Sequence, residues 1–165
     1  MLKTQIGGMA LKFYVNSTLE SIPSQTVLYR RRVGEYGEKN RKLMNDFKIW
    51  LKENDLYDEN TMIYAIPMDS PEQTEPSRCR YDVCIQWPQN RVFADEQIKC
   101  RNLVGGKYLV FRIPHTVDAI QIAWKMCFSE FNESGYSLDE GRPVMERYCK
   151  RLVGNHFCEL CVPIR

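Results

Sequence analysis

The chain has 165 residues, enough for one domain or two small subdomains that share a core. With 44% hydrophobic and 27% charged residues it has the composition of a folded globular protein, which excludes a disordered chain. The net charge of +2 is too near balance to indicate a nucleic-acid partner by itself.

The N-terminal stretch "MLKTQIGGMALKFYV" lacks the continuous apolar segment of a signal peptide. No run approaches the roughly 18 apolar residues of a membrane span. These features predict a cytoplasmic protein with no membrane partner. The seven cysteines are then expected as reduced thiols.

"TVLYRRRVG" reads as the first strand. If so, Arg30, Arg31 and Arg32 split between its two faces and form a solvated strand edge. "EKNRKLMNDFKIWLKEN" reads as a helix, with Leu43, Phe47, Trp50 and Leu51 on one face. The strand "TMIYAIPM" follows, then a loop rich in Pro, Ser and acids, then the strand "CRYDVCIQW".

The second half repeats the order. "KYLVFRIP" reads as a strand. "TVDAIQIAWKMCFSEF" reads as a helix with Val117, Ile120, Trp124, Cys127, Phe128 and Phe131 on one face. Thr116 suits its N-cap, Asp118 its first turn and Gly135 the position just past its end. The strands "PVMERYC" and "CELCVPI" close the chain.

An offset of about 80 residues lays one half on the other and sets Ile66 against Glu146. The pattern predicts a duplicated β-α-β-β unit with pseudo-twofold symmetry. The fold class is α+β, an antiparallel sheet with helices on one side and a central ligand groove where the units meet. The whole chain, 1–165, is expected to be one domain, its first unit at about 22–100 and its second at about 101–165.

In "GRPVMERY", Val144, Glu146 and Tyr148 share one strand face, and Met145, Arg147 and Cys149 the other. The strand alone leaves two readings of Glu146, a solvated charge or an acid aimed into an aromatic-lined cavity. The second half alone carries an acid at this position, an asymmetry that an architectural repeat does not require. "HFCELC" brings His156, Cys158 and Cys161 close in sequence, but positions i and i+3 of a strand face opposite sides. These are read as structural thiols, and no metal or other cofactor is expected. His115 and His156 are read as structural or exposed.

Several stretches, taken in order, resemble the GyrI-like (gyrase-inhibitor-like) small-molecule-binding family. They are "RRRVGEYG", Trp50 in the first helix, "IPMDSPEQTEPSRCRYDVCI", "GGKYLVFRIPHT", "SGYSLDEGRPVMERY" and "CELCVPI". The run from Asp69 to Asp82 is the most specific, and the resemblance covers about residues 22–164. The module forms the effector-binding domain of many AraC-type and MerR-type multidrug regulators. The resemblance implies a groove whose acid, in an "E-x-Y" strand, meets cationic ligands, and Glu146 with Tyr148 matches that motif. One departure is the turn "IPHT", where the family more often carries a Gly-Pro-Tyr after its histidine. No helix-turn-helix region precedes the matched stretch.

A carboxylate in such a groove lacks a countercharge that a lipophilic cation supplies, and aromatic faces add cation–π attraction. The ligand-binding residues expected are Glu146, Tyr148, Tyr36, Tyr64, Tyr81, Tyr108 and Trp124. Each of the aromatic ones also suits the core. Three functions stay open. The first is a small-molecule sensing, transcription-regulating or sequestering module, acting with a DNA-binding domain or a protein partner and without direct nucleic-acid binding. The second is a hydrolase of reactive electrophiles with Glu146 as its base. The third is a protein-interaction factor such as a gyrase inhibitor. Binding without catalysis is the expectation.

Overall fold

The computed structural model describes residues 4–6 and 9–165. A short N-terminal hairpin pairs β1 (Thr4–Ile6) with β2 (Met9–Leu11). The remaining strands form one antiparallel sheet. They are β3 (Asn16–Ile22), β4 (Gln25–Val33), β5 (Met62–Pro67), β6 (Arg80–Gln86), β7 (Lys99–Leu103), β8 (Gly106–Pro114), β9 (Met145–Cys149) and β10 (Phe157–Pro163). Their spatial order is β3-β8-β10-β9-β5-β6-β4-β7, curled into a half-barrel. The helices are α1 (Glu38–Glu53), α2 (Val117–Glu133) and the short α3 (Lys150–Gly154).

The order β4-α1-β5-β6 recurs as β8-α2-β9-β10, so the α+β duplication is present. The two units meet where β5 pairs with β9, at the middle of the sheet. Besides the N-terminal hairpin, two strands of this sheet are additional to those expected from the sequence. β3, next to β4 in the chain, pairs with β8, while β7, next to β8 in the chain, pairs with β4. Each unit is thus edged by a strand drawn from beside the other. Neither "NSTLESI" nor "KCRNL" alternates clearly, because an edge strand that meets water needs no apolar face.

Both long helices lie on one face. Leu43, Phe47, Trp50 and Leu51 of α1 and Ala123, Cys127 and Phe131 of α2 share a core with Leu28, Ile63, Ala65, Val83, Phe111 and Leu160. Phe47, Leu51 and Phe131 are essentially fully buried. Each such side chain contributes about 1.5–3 kcal/mol by leaving water. Val117 and Phe128, expected on the apolar stripe of α2, are exposed. Thr116 caps α2 as anticipated, its hydroxyl accepting from the Ala119 N–H at 3.1 Å. Gly135, at φ 85°, occupies the left-handed region just beyond the helix, where a side chain would be strained.

The opposite face carries a second core of Val27, Tyr64, Ile66, Cys84, Tyr108, Val110, Met145 and Cys161. Ion pairs line it. Asp82, fully buried, accepts two bonds from Arg31 (2.6 and 2.9 Å) and one from Arg101 (3.0 Å). Arg147 of β9 pairs with Glu159 of β10 at 3.0 Å and with Glu20 of β3 at 2.7 Å.

The arginine run is therefore not a solvated edge. β7 pairs with β4 over residues 25–29, short of the run, and each arginine is half-buried by its own partner: Asp95 for Arg30, Asp82 for Arg31, and the Glu35 carbonyl and Asn40 side chain for Arg32. No helix among the described residues is long and apolar enough to cross a membrane.

Candidate functional site

The candidate site lies at the seam of the two units, on the helix face. β9 pairs with β5 on one side and β10 on the other, which sets Ala65 and Leu160 beside Glu146, and Ile63 beside Tyr148. Period-two alternation turns Glu146 and Tyr148 toward the helices and Met145 and Arg147 away from them. The expected match of Ile66 to Glu146 does not hold, because Ile66 belongs to the opposite core. The residue of the first unit that lies beside Glu146 is Ala65, its cross-strand partner in β5. One residue of slip in the offset exchanges the two faces. The contrast between units survives the correction: a small alanine stands opposite the acid.

Glu146 is buried, which resolves its two readings in favour of the interior. Its carboxylate accepts from the Tyr148 hydroxyl at 2.5 Å and from the indole N–H of Trp124 at 2.7 Å. Both donors are neutral, and no cationic side chain pairs with it among the described residues. Burial raises its pKa above the ordinary value of 4.5, and the bonds from Tyr148 and Trp124 oppose that rise. Burial, then the nearby Glu146 charge, also pushes the Tyr148 hydroxyl upward. Tyr148 is thereby held as a neutral donor.

The other aromatic residues divide by face. Tyr81 of β6 is buried on the helix side, and burial followed by the Glu146 charge raises its pKa. Its ring meets that of Tyr36 edge-on at 5.9 Å. Tyr36 in turn donates to the Arg80 carbonyl at 2.6 Å, and so ties itself to the start of β6. Trp124, from α2, reaches Glu146 directly. Tyr64 and Tyr108 do not join them. Both lie in the opposite core, because Tyr64 is one residue out of phase with Ile63 and Ala65, and Tyr108 with Leu109. The structure thus gathers Glu146, Tyr148, Trp124, Tyr81 and Tyr36 and leaves out Tyr64 and Tyr108.

Two groups that the sequence reading did not place at the site also adjoin Tyr148. The His115 ring packs edge-on against it at 5.6 Å, and Lys48 Nζ lies 6.0 Å from its ring centre. The signal for Lys48 was positional: it lies four residues after Met44 and three before Leu51, at the border of the apolar stripe of α1. His115 closes the end of β8, where its N–H donates to the His156 carbonyl at 2.8 Å.

The specific run from Asp69 to Asp82 is structural in its contacts. Asp69 accepts from the Arg80 guanidinium at 2.9 Å through each oxygen, and from the Arg80 backbone N–H at 2.8 Å. These bonds hold its pKa down to about 2 and close the loop below Tyr36. Cys158 and Cys161 lie in the two opposite cores, so they cannot chelate one ion. Among the described residues no cluster of three or more His, Cys, Asp or Glu side chains has the geometry of a metal site.

A curled antiparallel sheet of two β-α-β-β units, with an acid at their seam, defines the class. Residues 16–165 match the model of the GyrI-like small molecule binding domain, and the chain belongs to that family. It is 39% identical over 150 residues to YosT, an SPbeta prophage-derived candidate transcriptional regulator of Bacillus subtilis (strain 168). That match covers 90% of this chain and 98% of YosT. Two solved structures share the fold at low identity. EcmrR in its DNA complex superposes with a TM-score of 0.67 at 14% identity over 91% of this chain. The chain spans 57% of the length of EcmrR. SAV2435 bound to tetraphenylphosphonium gives a TM-score of 0.58 at 15% identity, covering 92% of this chain and 94% of SAV2435.

Proposed function

We propose that the chain, acting as one effector-binding domain, senses lipophilic cations at the seam between its two units. Its output is transcription regulation, with DNA contact made by a separate domain or protein. The observation that carries this reading is the Glu146 carboxylate, buried and, among the described residues, bonded only to the neutral donors Trp124 and Tyr148. A buried carboxylate without a countercharge is costly. A cation that enters beside it supplies that charge, and the faces of Tyr148, Tyr81 and Trp124 supply cation–π attraction of about 0.5–2 kcal/mol each. One charge and several flat rings impose little shape, so the range of ligands is broad. The regulatory kinship of YosT and the cation held by the similarly folded SAV2435 support the same reading.

Tetraphenylphosphonium and tetraphenylborate, of nearly the same shape and opposite charge, test it by titration calorimetry. The cation is expected to bind and the anion not. Glu146→Gln should weaken the cation by about tenfold or more, which is ~1.4 kcal/mol. Equal affinity for the two ions, or a Glu146→Gln protein that binds the cation unchanged, would overturn the assignment.

A further inference from the structure

We infer that Lys48 is a resident cation at the ligand site, resting on the ring of Tyr148 and competing there with the incoming ligand. The inference deepens the reading of Glu146 given above and rests on it for the identity of the site.

Three groups converge on one phenol. The hydroxyl of Tyr148 donates to Glu146, its ring meets the edge of His115, and Lys48 Nζ stands 6.0 Å from its centre. Lys48 is half-buried, and among the described residues no carboxylate pairs with it. The neighbouring lysines of α1 differ. Lys42 is exposed and bonded to Asp46 at 2.7 Å, and Lys52, one turn further along the same side of the helix, lies over Tyr57 rather than Tyr148. A half-buried ammonium without a counterion and a buried carboxylate without a countercharge therefore face the same tyrosine, one at its ring and one at its hydroxyl. The ring mediates between two charges that the fold keeps apart.

The arrangement has a mechanical consequence. Lys48 comes from α1 of the first unit, and Tyr148 and Glu146 from β9 of the second. A ligand cation that stacks on Tyr148 and approaches Glu146 must move Lys48 off the ring or tolerate its charge nearby. Like charges beside half-buried groups repel more strongly than in bulk water. Lys48 thereby raises the affinity threshold for cations without affecting uncharged molecules of the same shape. Burial, then the charge of Lys52, already holds the Lys48 ammonium below its ordinary pKa, and burial, then the Lys48 charge, holds His115 down.

The test compares wild type, Lys48→Met, Lys48→Arg and Glu146→Gln. Methionine keeps much of the apolar stem and removes the charge, and arginine keeps the charge. Each protein is titrated with tetraphenylphosphonium and with neutral triphenylphosphine oxide. Lys48→Met should bind the cation about fivefold more tightly and the neutral compound within about twofold of wild type. Lys48→Arg should bind both like wild type. A ligand-free measurement accompanies these: the NMR titration of His115 should move to higher pH in Lys48→Met, because a nearby positive charge is gone. Unchanged or weaker cation binding in Lys48→Met overturns the inference, as does equal tightening for the neutral compound, which would mark a steric effect. An unmoved His115 titration places Lys48 away from the cluster and overturns it as well. Tighter cation binding by Lys48→Met, together with Glu146→Gln binding like wild type, keeps Lys48 and rejects Glu146 as the charge partner. Failure of the cation to bind either wild type or Lys48→Met rejects both.

Discussion

The indole nitrogen of Trp124 lies 2.7 Å from Glu146 Oε2, so helix α2 is fastened to the middle of the sheet through the buried acid at the seam. Removing the indole donor leaves a buried carboxylate oxygen unsatisfied. Trp124→Phe is expected to lower stability by about 1–3 kcal/mol in urea denaturation. The same change combined with Glu146→Gln should cost less than the sum of the two single changes, since they share one bond. Strict additivity would show that the bond contributes nothing.

Stability should depend on pH through Glu146, and the sign follows from burial. Its folded pKa is raised above the ordinary 4.5, so the folded chain binds this proton more tightly than the unfolded chain. This contribution to stability is fully present below the unfolded value. It falls as pH rises from about 4.5 through the raised folded value, at no more than about 1.4 kcal/mol per pH unit, and stays lost above it. Melting curves of wild type and Glu146→Gln across this range should converge at low pH and separate as pH rises, wild type becoming relatively less stable. Parallel curves would place Glu146 in water.

The two faces of the sheet should separate in mutagenesis. Tyr148→Phe removes a donor to Glu146 and should weaken tetraphenylphosphonium binding severalfold. Tyr64→Phe and Tyr108→Phe act on the opposite core and should leave that affinity within about twofold. A large loss from either of the latter would mean that the ligand enters from the other face.

Asp82 is a structural acid. It is fully buried between Arg31 and Arg101, whose guanidinium groups also flank the ring of Tyr29 at 5.3 Å each. Asp82→Asn leaves two half-buried arginines without their anion. It should destabilise the fold by about 3–5 kcal/mol in denaturant titration, with cation affinity unchanged in the folded fraction. A loss below about 1 kcal/mol would show that solvent screens the network.

The thiols give a check on both cores at once. Cys100 is exposed, and Cys79, Cys84, Cys127, Cys149, Cys158 and Cys161 are buried. Burial pushes Cys84, Cys127, Cys158 and Cys161 up to about 12, which keeps them protonated and unreactive at neutral pH. A thiol reagent should label one cysteine quickly in the native protein and all seven after unfolding. Elemental analysis should find no stoichiometric zinc, since Cys158 and Cys161 face different cores. Rapid native labelling of Cys158 or Cys161 would show that a core opens readily.

The sequence by itself determined the repeated order of strand, helix, strand and strand, and the apolar stripe of α1. These rest on periodicity, which each segment states locally. It also determined that Glu146 and Tyr148 share a face, because alternation along one strand needs no partner. What it left open depended on partners distant in the chain. Whether Glu146 meets water or Trp124 is decided by where α2 lies over β9. Whether Arg31 is solvated or held against Asp82 is decided by the pairing of its strand with β6 and by Arg101 of β7, which shares the same acid. The phase between the two units, which assigns Tyr64 and Ile66 to one core and Ala65 to the other, is set by the pairing of β5 with β9. A slip of one residue there reverses every side chain, and two weakly similar halves cannot specify that register from within their own sequences. Lys48 needed the same information: a lysine at the border of an apolar stripe is unremarkable until a tyrosine of the other unit is brought beneath it.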